Sequence, residues 1–236
     1  MPKRVAIVQS NYLPWKGYFD LIASVDEFVL FDSAQFTKRD WRNRNQIKTE
    51  QGLRWLSVPV TTRGRFAQSI RETRVSDRSW PECHWRKIEA AYRGAGHFPD
   101  YGPMLAGALR EADAETLSEV NARLLRKVCA WLDIDTPLVS DAAFAGGGEA
   151  SEKLLQICLK LNAGTYVSGP KAKAYLDVEL FSDAGIRVEW FGYQGFPPYA
   201  QLHGGFVHEV SIVDLLLNEG PEARRFLKAR PGEPER

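Results

Sequence analysis

The feature that most constrains the fold is a short apolar run near the start of the chain, Val5 to Val8, which stops at polar Gln9. Its length and its β-branched residues are typical of a buried strand. The residues that follow combine turn formers with aromatic rings, which predicts an aromatic-walled loop just past the strand. In an open α/β sheet, ligands bind at the carboxyl ends of the strands. The loop residues that we predict to contact a substrate are Gln9, Asn11, Tyr12, Pro14 and Gly17.

Short apolar runs alternate with helical patterns along the rest of the chain. Further strands are predicted over 27–32, 53–60, 135–140, 165–168 and 186–190. Helical periodicity dominates residues 80–133 and returns between Ser211 and Gly220. This order predicts an α/β fold with a mostly parallel central sheet flanked by helices, and with a helical insertion or layer around residues 80–133. We predict a single domain over residues 1–228 and a disordered, charged and proline-rich tail over 229–236.

Several connecting segments carry their own predictions. Ser69 to Val75 is predicted to return as the hairpin partner of the strand over 53–60, and His97 to Tyr101 is predicted to be a loop. The longest helix is predicted over Asp113 to Leu132. Gly-flanked arginines in the turn 63–65 can reach over a site as a lid, although a solvent-exposed turn is the simpler interpretation. The aromatic and proline-rich segment that begins at Phe196 is expected to fold back toward the first loop.

Composition limits the class of protein. The chain has 236 residues, of which 44% are hydrophobic, enough to bury one sizeable core. A formal net charge of +1 argues against a general nucleic-acid or membrane-surface binder. No apolar run approaches the roughly 18 residues that a membrane helix needs, and no signal peptide is recognisable before Val5. The three cysteines lie far apart and the histidines show no zinc-ligand spacing, so we predict a cytoplasmic protein without a metal site.

The segment from Lys38 to Lys48 is densely basic. It contains five lysines and arginines and one acidic residue, Asp40, with a tryptophan and two asparagines among them. A solvated loop is one interpretation. The combination of rings, guanidinium groups and amides also suits a phosphorylated, ring-bearing ligand such as a nucleotide or nucleotide-sugar, or an RNA end. The substrate-binding residues predicted in and before this segment are Gln35, Lys38, Arg39, Trp41, Asn43, Arg44 and Lys48.

Two residues are candidates for taking a proton from a substrate amine. Asp32 ends a predicted strand, a common catalytic or metal-binding position in α/β folds, although an aspartate there can instead cap the next turn. His84 lies at the start of a predicted helix, where a neutral imidazole is favoured. A histidine that only packs beside Trp85 is the alternative.

A second basic loop follows the predicted strand over 165–168. A small turn with two lysines at its start can bind a phosphate through backbone amides and side chains, although it can also be a plain surface turn. Its predicted binding residues are Ser168, Gly169, Lys171, Lys173 and Tyr175. A glycine-rich turn at 146–148 also precedes a helix, but Glu149 and Glu152 in the first helical turn oppose an anion there.

Four blocks of the sequence resemble the WbqC-like protein family. They are VQSNYLPWKGYFDLI, FDSAQFTKRDWRNRNQIKT, YVSGPKAKAYLD and FVHEVSIVDLLLNEG. The blocks follow the order of the family and extend from about Val5 to Gly220. Val8 stands where family members commonly carry a histidine, so a role for that histidine does not transfer to this chain.

The resemblance implies a part in bacterial surface-polysaccharide biosynthesis, in which an amino acid or similar acyl group is attached to an amino sugar. We therefore predict a transferase or ligase that acts on a phosphorylated small molecule, a nucleotide or nucleotide-sugar. One alternative is a non-catalytic module that binds a nucleotide-sugar or an RNA end and assists a partner enzyme. Another is a phosphate-ester hydrolase or nucleotidyltransferase that uses Asp32 with magnesium. The sequence leaves open whether ATP, magnesium or aminoacyl-tRNA takes part.

Overall fold

Five parallel strands form the centre of the molecule, in the order β5-β2-β1-β6-β7. The computed structural model describes residues 2–144 and 149–229. Its elements in chain order are β1 (Arg4–Val8), α1 (Lys16–Ala23), β2 (Glu27–Leu30), β3 (Arg44–Thr49), β4 (Gly52–Ser57), α2 (Trp80–Tyr92), α3 (Phe98–Glu111), α4 (Leu117–Trp131), β5 (Leu138–Ser140), α5 (Ala150–Lys160), β6 (Thr165–Ser168), α6 (Val178–Asp183), β7 (Arg187–Trp190) and α7 (Ile212–Glu219). The predicted α/β fold with a parallel central sheet and flanking helices is confirmed.

The two faces of the sheet are buried in different apolar clusters. Ala6 and Phe28 belong to a cluster that also contains residues of α1 to α4 and α7. Val5 and Tyr166 belong to a second cluster with residues of α5 and α6. Successive side chains of a strand point to opposite faces, so helices on both sides account for strands that are apolar without alternation. The helices of the region 80–133 therefore share the core of one sheet face.

A separate antiparallel hairpin, β3 with β4, lies outside the main sheet. β3 occupies the second half of the basic segment. It was not predicted as a strand because polar residues outnumber apolar ones there. β3 also takes the place of the predicted hairpin partner. Ser69 to Val75 is not a strand and makes only isolated bridges, including Gln35 with Ser69 and Val60 with Val75. The prediction that Ser69 to Val75 pairs with the strand over 53–60 was therefore wrong. β4 pairs instead with β3, whose buried side chains are interspersed with polar ones.

Two helix starts also differ from the prediction. His97 to Tyr101 is not a loop, because α3 begins at Phe98 and Pro99 lies in its first turn, where the missing backbone N–H costs nothing. α4 begins at Leu117 rather than at Asp113, because the Thr116 side chain accepts a hydrogen bond from the backbone N–H of Glu119 and so caps the helix.

The segment from Phe191 to Val210, which we call the strap, contains no helix or strand. It lies against the beginning of the chain, as predicted. The Trp15 ring is 5.7 Å from the Tyr193 ring and 5.3 Å from the Phe196 ring, measured between centroids. The glycine-rich turn at 146–148 and residues 230–236 of the predicted disordered tail lie outside the described residues. No described helix has both the length and the apolar character to span a bilayer.

Candidate functional site

The strand order places a switch point between β1 and β6. From β1 the chain adds β2 and β5 on one side, and it adds β6 and β7 on the other. Crossovers leave in opposite directions at such a point, so a crevice opens beyond the carboxyl ends of the two strands. Gln9 follows β1 and Gly169 follows β6. A side chain added at Gly169 would lie 3.6 Å from the Tyr193 hydroxyl, so the strap approaches this crevice closely.

Most of the predicted first loop is buried rather than open to a ligand. Gln9 and Asn11 are partly exposed, whereas Tyr12 and Pro14 are buried. The Pro14 carbonyl accepts a hydrogen bond from Ile212 at the start of α7. Gly17 is required for packing, because an added Cβ would lie 2.3 Å from the Trp15 ring. The loop therefore connects β1 to α1 and is hydrogen-bonded to the start of α7. Its partly exposed polar side chains are Gln9 and Asn11.

His84 is buried with both ring nitrogens hydrogen-bonded. Its Nε2 lies 3.1 Å from the Ser57 carbonyl, which can only accept, so Nε2 carries the proton. Nδ1 then accepts a hydrogen bond of 2.7 Å from the Tyr12 hydroxyl. Burial lowers the pKa of His84 to about 4, against the smaller opposing effect of the Ser57 hydrogen bond. The imidazole is therefore neutral at neutral pH, and its lone pair is used within the protein.

Asp32 is 1% exposed and ties three segments together. One carboxylate oxygen accepts a hydrogen bond of 2.9 Å from the Ser10 backbone, and the other accepts one from the Ser118 hydroxyl on α4. Burial raises the pKa of Asp32, whereas these hydrogen bonds favour its charged form. The carboxylate lies at the end of β2, as predicted, and its hydrogen bonds hold the β1 loop against α4.

The first half of the basic segment and the hairpin together form an exposed surface, which we call the basic–aromatic face. The rings of Trp41 and Trp55 are 5.4 Å apart, and the Arg44 guanidinium lies 4.0 Å from the Trp55 ring. Lys38 lies 5.2 Å from the Phe66 ring. Trp41 and Trp55 are each 37% exposed and Phe66 is 75% exposed. Tertiary structure thus brings rings and cations from three segments to one surface.

The cations of this face lack acidic partners. Among the described residues, no carboxylate lies within ion-pair distance of Lys38, Arg39 or Arg44. Within the segment, Arg42 forms an ion pair with Asp40. The Nε atom of Arg44 is buried and has no hydrogen-bond acceptor in the described part of the chain. Such a surface favours an anion.

Three further predicted residues, Gln35, Asn43 and Lys48, donate hydrogen bonds within the protein. The Asn43 amide donates to the Val58 carbonyl at 2.8 Å. Lys48 is buried, and its Nζ atom donates to Gln201 on the strap at 3.0 Å. Gln35 is exposed and donates to the Phe66 carbonyl at 2.8 Å. Gln35 therefore supports the basic–aromatic face, whereas Asn43 and Lys48 stabilise the hairpin and the strap.

The late lysine loop is also exposed, at the end of β6. Pro170–Ala174 forms one short stretch of 3-10 helix, with Lys171, Lys173 and Tyr175 on its surface. Lys173 lies 5.5 Å from the Trp190 ring. β1 separates β6 from β2, so the two basic loops leave strands about 10 Å apart. The late loop borders the switch point, and the basic–aromatic face lies on the β2 side of it.

Two charged residues that the sequence analysis did not select lie beneath the strap. Lys16 is 2% exposed, and its Nζ atom donates to the Pro197 carbonyl at 2.6 Å. The ring of Tyr199 is 4.9 Å away, and the rings of Phe196 and Phe206 also face the amine. Burial lowers the pKa of Lys16 to about 8, although Asp20 and Asp214 oppose this change. In the sequence, the local sign that Lys16 is buried is its position between aromatic residues, in WKGYF.

Asp214 is the second of these residues. It is fully buried on α7 and accepts hydrogen bonds of 2.8 Å from the hydroxyls of Tyr92 and Tyr199. Gln201 extends this network from Tyr199 to the buried Lys48. An isolated aspartate inside the apolar stretch IVDLLL was the available signal, because a buried acidic group needs partners.

Comparison with known proteins covers the segments that build this site. The WbqC-like protein family matches residues 9–226. An uncharacterized protein of Mycobacterium tuberculosis, Rv1507c, is 49% identical over 226 residues, which is 96% of this chain and 98% of that protein. No solved structure shows significant similarity to the chain. Both switch-point loops, the basic–aromatic face and the strap fall within the matched residues, and the chain belongs to the WbqC-like protein family.

Proposed function

We propose that this protein binds a nucleotide or nucleotide-sugar and attaches an acyl or aminoacyl group to an amine, such as that of an amino sugar, in bacterial surface-polysaccharide or related biosynthesis. The basic–aromatic face is the observation that carries the proposal. Trp41 and Trp55 offer exposed rings for stacking, and Lys38, Arg39 and Arg44 offer cations that form no ion pair with any described residue. Membership of the WbqC-like family supports the polysaccharide context.

The chemistry of a nucleotide fits both parts of this face. A base or sugar ring stacks on an aromatic or guanidinium plane, and phosphate oxygens accept hydrogen bonds from lysine and arginine. The Arg44 guanidinium lies over the Trp55 ring and so presents a planar cation beside an exposed aromatic ring. An ordinary solubility surface requires neither feature.

The transfer step places further demands on the site. The lone pair of the amine attacks the carbonyl carbon of the activated acyl group. A C–N bond forms, the bond from the acyl carbon to its leaving oxygen breaks, and that oxygen keeps the electron pair. The amine must also lose a proton, for which Asp32 and His84 are the proposed acceptors. In the structure each is held by hydrogen bonds that this step would have to release.

This last observation favours a second candidate, a non-catalytic module that binds the nucleotide-sugar for a partner enzyme. Asp32 and His84 are buried and their acceptor atoms are occupied within the protein. Hydrogen bonds of this kind are sufficient to explain both residues as structural. The two candidates share the same ligand and differ in whether the chain alone turns it over.

The first experiment measures binding. Purified protein is melted with and without ATP, nucleoside diphosphates and nucleotide-sugars that carry a free amine, because a ligand of the folded state raises the melting temperature. We expect a rise in the wild type, its loss in the Lys38→Ala/Arg44→Ala variant, and its retention in Arg86→Gln, which removes an exposed cation from α2. A wild type that responds to none of these ligands would show that the basic–aromatic face is not a nucleotide site.

The second experiment measures turnover. The ligand that binds is incubated with amino acids or other acyl donors, ATP and magnesium, and mass spectrometry follows acylation of the amino sugar. An enzyme should form product, and Asp32→Asn or His84→Gln should still bind but form less. Binding without product, under every donor condition, would favour the non-catalytic module.

A further inference from the structure

A cleft of about 790 Å³ lies beside the basic–aromatic face. Its walls come from the segment 64–74 and from Thr116, at the beginning of α4. Three arginines line it, Arg65, Arg71 and Arg74, together with one carboxylate, Glu72. The turn at 63–65 is solvent-exposed, as the simpler interpretation expected, and Gly64 and Arg65 also line this cleft.

Backbone hydrogen bonds hold the second half of this segment. The N–H of Arg71 donates to the Asp32 carbonyl, and that of Ile70 donates to the Ala34 carbonyl, both at 2.9 Å, so the segment is fixed to the chain that leaves β2. Thr73 accepts a hydrogen bond of 2.9 Å from Leu117, which fixes the segment to the start of α4. The side of the cleft that carries Arg71 and Arg74 is therefore fixed to the main body, and Arg65 and Phe66 approach it from the exposed turn.

The charges of the cleft are only partly neutralised. Arg71 is paired with Asp141, and Arg74 lies 3.5 Å from Glu115 with both side chains largely exposed. Among the described residues, no carboxylate lies within ion-pair distance of Arg65. The Glu72 carboxylate accepts hydrogen bonds of 2.8 Å from the Ser69 N–H and hydroxyl, and its charge also interacts favourably with Arg65 and Arg71. Arg65 is therefore the lining arginine whose guanidinium has no ion pair among the described residues, and it is the cation that an incoming anion can contact without displacing a carboxylate.

Two further observations point to a ligand with more than one chemical part. Gln68 lines the same cleft, and its buried Oε1 has no hydrogen-bond donor in the described part of the chain. Arg65 and Phe66 also line a neighbouring cleft of about 390 Å³ that contains Lys38. The exposed Phe66 ring thus stands between a cleft with three arginines and a cleft with a lysine, where a ring-bearing phosphate ester can contact both.

We infer that the arginine-lined cleft binds the phosphate groups of a nucleoside diphosphate or of a compound that contains one. Arg65 and Arg74 contact phosphate oxygens from the segment that forms the wall, and Phe66 stacks on the ring. This inference rests on the proposed function, because it assumes a nucleotide-type ligand, and it assigns the diphosphate to Arg65 and Arg74 rather than to Lys38 and Arg44.

Isothermal titration calorimetry with inorganic pyrophosphate and with ADP tests the assignment. The Arg65→Gln/Arg74→Gln variant removes two exposed cations without touching Arg71, which is bonded to Asp141. Loss of charge-assisted hydrogen bonds should weaken binding of both probes by about tenfold or more. Phe66→Ala should weaken ADP but not pyrophosphate, since only ADP has a ring. Arg86→Gln is the matched control and should bind both probes as the wild type does.

The outcomes separate this inference from the proposed function. If Arg65→Gln/Arg74→Gln binds ADP and pyrophosphate as tightly as the wild type, while Lys38→Ala/Arg44→Ala loses ADP, the cleft assignment is wrong and the nucleotide proposal stands. If the wild type binds neither probe nor any nucleotide-sugar, both are wrong. Melting temperatures show whether each variant is folded; Lys38, Arg65, Phe66, Arg74 and Arg86 are exposed, and Arg44 is partly buried.

Discussion

The hydrogen-bonded pair of Tyr12 and His84 shows how one side chain connects the first loop to the helical layer. The Tyr12 hydroxyl donates to Nδ1, and the Trp80 ring packs against both residues. Taking a proton onto Nδ1 would force the Tyr12 hydroxyl to change from donor to acceptor and would place a charge in the core. The arrangement therefore stabilises the neutral imidazole, in agreement with the pKa of about 4.

This arrangement predicts a loss of stability in acid. The folded protein binds a proton on His84 only near pH 4, whereas the unfolded chain binds it near the ordinary histidine pKa. Protons therefore favour the unfolded state, and the free energy of unfolding should fall by up to about 3 kcal/mol as pH drops from about 6.5 to about 4. Urea unfolding at a series of pH values measures this dependence in the wild type and in His84→Gln.

The difference between the two proteins isolates His84. The raised pKa values of Asp32 and Asp214 act in the opposite direction, since each carboxyl gains a proton more readily in the folded state, but both remain in the variant. A His84→Gln protein with the same pH dependence as the wild type would show that another group is responsible.

The sequence identified both Asp32 and His84 but not their partners. Tyr12 and His84 are separated by 72 positions, and Asp32 and Ser118 by 86. A strand end and a helix start can be recognised from local residue types, whereas contacts between them depend on how the elements pack. Their proposed catalytic roles stay predictions, to be tested by the turnover assay.

At the scale of elements, α7 depends on one buried carboxylate. Asp214 receives hydrogen bonds from tyrosines on α2 and on the strap. Asp214→Ala would leave two buried hydroxyls without acceptors, and we expect the free energy of unfolding to fall by about 3–5 kcal/mol. Asp214→Asn keeps one acceptor oxygen and should lose less. Chemical denaturation measures all three proteins.

An exposed acidic residue in another helix supplies the control. Among the described residues, Glu179 on α6 forms no ion pair. Glu179→Ala should therefore change the free energy of unfolding by less than about 0.5 kcal/mol. If Asp214→Ala were as stable as Glu179→Ala, the network beneath the strap would not hold α7 in place.

Polar strands and helix starts mark the limits of prediction at this scale. β3 contains Asn45 and Ile47 as buried residues, and the Asn45 amide donates to the Leu13 carbonyl at 2.8 Å. The hairpin is thus stabilised by contacts with the first loop that its own sequence does not display. By contrast, β6 and the Ser211 cap of α7 were predicted at their observed positions, because apolar β-branched runs and capping residues are local signals.

For the whole molecule, alternation of strands and helices was enough to predict the α/β class and a parallel sheet. It was not enough to predict strand order, because all five strands of the main sheet are only three to five residues long and carry no local signal of their neighbours. The order decides which loops meet. Gln9 and Gly169 lie in distant parts of the sequence, yet they follow neighbouring strands because β1 pairs with β6. The site was therefore predicted as separate loops, and the switch point that unites two of them was not.

The same strand order affects how the chain is made. β1 leaves the ribosome first and soon meets β2, but its other neighbour begins at Thr165. Until then, one side of the central strand has no hydrogen-bonding partner, and the sheet face that α5 and α6 cover still lacks α6. A nascent chain in this state presents an open strand edge, which is a hazard for aggregation and a natural substrate for chaperones.

Translation-arrest sequences that are released by pulling force can time this event. When fused after successive lengths of the chain, they should report their main folding force only once Thr165–Ser168 has left the exit tunnel. A strong force at lengths that expose only β1, β2 and β5 would mean that half of the sheet folds independently. Otherwise, the strand that is synthesised first waits for most of the protein before its place in the sheet is complete.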